Sequence, residues 1–166
     1  MKFASFLLMV LFSFAAMALE SDSKQPIYID SNTATYNDKA QTSVYTGNVV
    51  TVQGSLKVWS DKLVVYLNNG EIKKLVATGK PARFEQVPSE GAEKITGRAL
   101  IGEYYPAKNL LVLKKQAEVW QGEHRTASEL IRYDSRNSLV MAGEKSSDSK
   151  RVHSVFKPHN VEEDKP

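Results

Sequence analysis

The sequence predicts an all-β fold, a sandwich, barrel or solenoid of about a dozen short strands. Three observations predict it. Apolar and polar residues alternate with period two from Ile27 almost to Phe156. Valine, tyrosine and threonine, which suit a pleated half-buried surface, dominate the apolar runs. Gly, Asn and Pro punctuate the runs at roughly ten-residue spacing.

The elements follow in order. Lys2, the apolar stretch 3–16 and the small residues Ala16 and Ala18 make residues 1–18 a cleavable secretory signal peptide. Residues 19–25 are polar and expected to be flexible. A single domain is expected over 26–157, with a loose polar tail over 158–166. Within it, 27–30 alternates, 44–46 leads to Gly47 and Asn48, and 49–52 follows. Residues 55–59 and 63–67 are strand-like, and Asn68-Asn69-Gly70 signals a turn. The runs 72–76, 81–84, 100–101, 104–105, 110–113, 119–120, 130–133, 139–141 and 152–156 continue the series, with Pro88 to Gly91 as an exposed loop. The single helix candidate, 127–133, is short and lies among strand-like runs. Gly47, Gly54 and Gly79 read as turn or bulge residues.

A weak repeat runs through the chain. Tyr36, Tyr66 and Tyr133 precede Gly47, Gly79 and Gly143 by eleven, thirteen and ten residues. Tyr105 belongs to the same series, with Gln116 where its Gly would stand. Each unit is two strands and a turn, which cannot bury its apolar face alone and must stack on its neighbours.

Composition narrows the function. There is no cysteine, hence no lipoprotein anchor, disulfide or thiolate metal site. The net charge is only +3, with Lys and Arg scattered, which argues against nucleic acid. His124, His153 and His159 stand apart without metal-ligand spacing and read as surface residues. No phosphate loop, nucleophile elbow or cofactor motif is present. Asp61, Glu103 and Glu129 could form a glycosidase pair on a β-solenoid, although each also fits an ordinary strand or turn position. Trp59, Trp120, Tyr45, Tyr66, Tyr104 and Phe84 are dispersed over the strands, and core packing is the expectation for most of them.

Three segments carry a resemblance: 25–31 (Gln-Pro-Ile-Tyr-Ile-Asp-Ser), 46–57 followed by Ser60-Asp61-Lys62-Leu63, and 79–84 (Gly-Lys-Pro-Ala-Arg-Phe). In that order the chain resembles the OstA-like (LptA) family of periplasmic lipopolysaccharide transport proteins, over most of residues 25–157. The resemblance implies a twisted, open-ended antiparallel β-jelly roll built from repeated hairpin units. It implies a periplasmic, non-enzymatic carrier that bridges an inner-membrane lipopolysaccharide export complex and an outer-membrane translocon. Lipopolysaccharide is the implied cargo, with the acyl chains of its lipid A moiety shielded in an apolar groove. Ile27, Ile29, Phe84 and Tyr104 are the implied groove residues, and Ile29→Asp and Phe84→Asp are expected to weaken lipid binding in a folded protein. An open-ended sheet leaves edges for head-to-tail homo-oligomerisation: Ile27, Tyr28 and Ile29 at one end, Val152, Val155 and Phe156 at the other. Pro106 departs from the family pattern, so the end of its strand is expected to differ. Lys73-Lys74 and Lys114-Lys115 read as solvated strand faces, with headgroup phosphates as the other option. The rival reading is a lipid-free envelope scaffold on the same fold.

Overall fold

The computed structural model describes residues 22–144 and 151–157. The expected signal peptide and the tail 158–166 lie outside the described residues. Ten strands form one antiparallel sheet: β1 (Ile27–Asp30), β2 (Thr33–Asn37), β3 (Thr42–Gln53), β4 (Leu56–Asn68), β5 (Glu71–Gln86), β6 (Ile95–Tyr105), β7 (Leu110–Gln121), β8 (His124–Asp134), β9 (Leu139–Ala142) and β10 (His153–Val155). The strands from β3 to β8 are a continuous meander. They are fewer and longer than the sequence pattern predicts. The runs 72–76 and 81–84 merge into β5, 100–101 and 104–105 into β6, and 110–113 and 119–120 into β7. Residues 79–81 and 115–116 are bulges inside a strand, and 102–103 are ordinary ladder residues, so none of them is a turn between strands. The helix candidate 127–133 lies within β8. Among the described residues the helical segments are two short 3-10 turns, Asp22–Lys24 and Pro106–Lys108. The second ends β6 at Tyr105, where Pro106 can offer no ladder N–H.

Each neighbouring pair in the meander loses register near its middle. The shifts fall at Thr46/Val49, Trp59/Lys62, Thr78/Ala82, Arg98/Ile101 and Lys114/Ala117. Extra residues bend a strand and increase its twist. Aligned across the sheet, they form a crease that divides it into two leaves. The first leaf holds β1, residues 49–60, 82–99 and 117–128, and β10; the second holds β2, residues 42–46, 62–78, 101–114 and 130–134, and β9. The Tyr–Gly repeat maps onto this plan. Its tyrosines lie in β2, β4, β6 and β8 on the second leaf, each shortly before a turn, while Gly47, Gly79, Gln116 and Gly143 lie at the crease. Gln116 adopts φ +52°, the left-handed conformation its missing glycine would take.

Folded on its crease, the sheet packs against itself. Val49, Leu56, Phe84, Ile95 and Val119 come from the first leaf, and Leu63, Leu75, Leu113, Ile131 and Tyr133 from the second. Alternate residues point outward, as period two requires. At each end one strand forks. β3 pairs with β1 through residues 50–53 and with β2 through 42–46. β8 pairs with β10 through 125–127 and with β9 through 131–134. Among the described residues no pairing joins the first strands to the last, so the sheet is open-ended, an all-β jelly roll as expected.

An apolar slot between two leaves

Inward-facing side chains on the two leaves line one apolar cavity. Val58, Ala82, Phe84 and Ala99 face Leu63, Leu75, Tyr104 and Leu113. Phe84 and Tyr104, two of the predicted groove residues, therefore share it. Ile27 and Ile29 of β1 are half-buried and pack on the surrounding core. The leucines and Val58 were not singled out from the sequence, because alternation marks them as inward without separating core from groove. The cavity is narrow, about 30 Å³, room for one or two waters. An acyl chain enters only if the leaves separate.

Phe84 is 3% exposed, and its ring lies on Gly97, where an added Cβ would clash with Phe84 Cε1. An aspartate at 84 would be a buried carboxylate without a partner, so a folded Phe84→Asp variant is not expected. Ile29, half-buried on an edge strand, tolerates the corresponding change better. Burial first, and the negative charge of Asp22 second, push the phenols of Tyr104 and Tyr133 up to about 12. Both remain neutral. The Tyr133 hydroxyl, fully buried, and the buried Thr51 Oγ1 have no hydrogen-bond partner among the described residues.

The margin opposite the crease is rimmed by turns, and residues 22–25 cross the rim of the first leaf. Asp22 Oδ1 accepts from the Ser55 N–H at 2.8 Å; its Oδ2 accepts from Ser55 Oγ at 2.7 Å and from Gln86 Nε2 at 2.5 Å. Gln53 Nε2 donates to the Gln25 carbonyl at 2.9 Å and the Ser23 carbonyl at 3.3 Å. Gly54, at φ +57°, admits the carboxylate; a Cβ there would clash with Asp22 Oδ1. The flexible stretch expected over 19–25 is thus, over its described residues, tied to the sheet. No sequence signal marked this cluster, whose members lie 33 and 64 residues from Asp22.

The predicted assembly residues occupy the two ends. Tyr28 is 64% exposed beside the half-buried Ile27 and Ile29. Val152, Val155 and Phe156 are all exposed, with Phe156 against His124 at a ring separation of 5.1 Å. Asp61, Glu103 and Glu129 sit on β4, β6 and β8, no two on neighbouring strands, and Asp61 and Glu129 are each three residues out of line with Glu103. Glu103 is engaged by the Tyr105 hydroxyl at 2.9 Å and by Lys114 at 2.9 Å. Lys74 lies over the Tyr66 ring at 4.8 Å. Among the described residues no group of acids and histidines could hold a metal, and no helix is long and apolar enough to cross a membrane.

The family model described as LptA/(LptD N-terminal domain) LPS transport protein matches residues 28–138. The chain belongs to this family. It is 36% identical to the lipopolysaccharide export system protein LptH of Pseudomonas aeruginosa, over 77% of this chain and 74% of that one. It is 32% identical to the lipopolysaccharide export system protein LptA of Escherichia coli K12, over 91% and 81% of the two chains. The crystal structure of the Pseudomonas LptH, described as the LptA-homologous periplasmic component of the lipopolysaccharide transport device, has a TM-score of 0.77 to this fold at 30% identity. It covers 84% of this chain and 100% of that one.

Proposed function

We propose that this protein is a periplasmic, non-enzymatic lipopolysaccharide carrier that bridges inner-membrane and outer-membrane transport complexes, with acyl chains held between the two leaves. The observation that carries the reading is the continuous apolar lining contributed by both leaves of a sheet that does not close. Each methylene kept from water is worth about 0.8 kcal/mol, so a long acyl chain supplies the free energy to part the leaves. Open edges suit strand addition by a second copy or by similar folds at either membrane. Such contacts need not close, and they extend head to tail. Family membership and the periplasmic component named in the structural relative support the same reading.

The narrowness of the cavity favours a second reading, a lipid-free envelope scaffold. Crosslinking separates the two. A photoreactive residue at Phe84 is expected to crosslink lipopolysaccharide, and one at the exposed, outward Lys62 is not. Folded protein that crosslinks from neither position is a scaffold.

A further inference from the structure

Both tryptophans of the chain lie on the outer face of the first leaf. Trp59 on β4 and Trp120 on β7 point away from the slot, since their neighbours Val58 and Val119 point inward. Between them, Trp59 is in register with Arg83 of β5, Arg83 with Arg98 of β6, and Arg98 with Glu118 of β7. Trp59, Arg83, Arg98 and Trp120 line an open cleft with Glu85 and Thr96. The two tryptophan backbones lie three strand spacings apart and two residues offset along the strand, about 16 Å, a length that accommodates a short oligosaccharide.

The cleft is organised before any ligand arrives. Arg98 and Arg125 lie over the Trp120 ring at 5.4 and 5.9 Å. Glu118 holds both guanidinium groups at 2.8 Å. Glu85 is engaged by Lys94 at 3.2 Å. The acids of the cleft are therefore satisfied internally, while Arg83, exposed, has no ion-pair partner among the described residues. The Trp59 indole, over which no cation lies among the described residues, offers an apolar platform to the C–H face of a sugar ring. A free guanidinium takes phosphate or carboxylate oxygens in a planar two-point contact.

We propose that this outer cleft binds the anionic saccharide of a phosphorylated glycolipid, on the reverse side of the leaf whose inner face lines the acyl slot. The inference rests on the glycolipid-carrier reading and places the polar part of that cargo. The leaf is one strand thick, and Glu85 in the cleft adjoins Gln86 at the rim. A molecule folded over the rim reaches both faces, leaving its sugars hydrated and its acyl chains dry.

The two tryptophans make their own reporter. Titration of the full mature chain with a deacylated, phosphorylated oligosaccharide prepared from lipopolysaccharide is expected to give a saturable change in tryptophan fluorescence. Dephosphorylating the saccharide, or replacing Arg83→Gln in the protein, is expected to weaken it roughly tenfold, the worth of a charge-assisted contact. Arg83 is exposed and takes no part in the core, so this variant keeps its fold. Inorganic phosphate alone is expected to give no response. The proposal is overturned by no saturable response, by an unchanged response in Arg83→Gln, or by inorganic phosphate competing as well as the saccharide. No saccharide response while intact lipopolysaccharide still crosslinks from Phe84 sinks the outer cleft alone. Loss of crosslinking at Phe84 sinks the carrier reading with it.

Discussion

At the N-terminal end β3 forks into β1 and β2, and at the C-terminal end β8 forks into β10 and β9. The hydrogen-bonded plan is the same, but the burial is not. Ile27 and Ile29 pack β1 onto the core, and Asp22 ties the segment before it to the rim. All three residues of β10 are exposed, and beyond them Phe156 is 73% exposed. A backbone hydrogen bond contributes only about 0.5–1.5 kcal/mol net, so a strand without burial is weakly held. One end is therefore fastened and the other exposes Val152, Val155 and Phe156, an asymmetry that the proposed head-to-tail growth would use.

Three experiments sharpen this contrast, in falling order of effect. Asp22→Ala removes a carboxylate that accepts three hydrogen bonds at a partly buried site, and is expected to cost about 1.5–3 kcal/mol in urea denaturation. A cost within experimental error would mean that the N-terminal segment fastens nothing. Removing residues 151–166 is expected to cost the monomer less than about 1 kcal/mol, yet to abolish concentration-dependent association in light scattering. Association that persists would place the assembly edge elsewhere.

The smallest effect is electrostatic. Burial pushes Glu118 up, but Arg98 and Arg125 outweigh it and hold the carboxyl below its usual value. A lowered folded-state pKa contributes stability that is present above the unfolded value, near 4.5, and is lost as pH falls through the folded one. Glu118→Gln should therefore flatten the acid limb of the stability curve below about pH 4.5 and leave stability changes at β10 untouched. An unchanged acid limb would show that the arginines do not act on Glu118.

Much of the fold was legible. Period two marked the strand runs and read Phe84 as inward, and Gly47 and Gly79, read as turn or bulge residues, fall at two points of the crease. The apolar cavity was legible in part: the family resemblance singled out Phe84 and Tyr104, which line it, and Ile27 and Ile29, which pack on the surrounding core. What failed was the number of strands. A bulge and a turn use the same residue types, so merged runs such as 72–76 and 81–84 looked like separate strands. Core packing was also the wrong expectation for Trp59 and Trp120, whose neighbours take the inward positions.

The sequence by itself determined the strand periodicity, the inward and outward faces and the repeating Tyr–Gly unit, because these depend on spacing along one chain. Only the tertiary structure decided that the bulges align into a crease and that Asp22 reaches Ser55 and Gln86. It alone placed two arginines between two tryptophans on one outer face. Those contacts depend on the register between strands far apart in sequence, and register is set by which faces bury together.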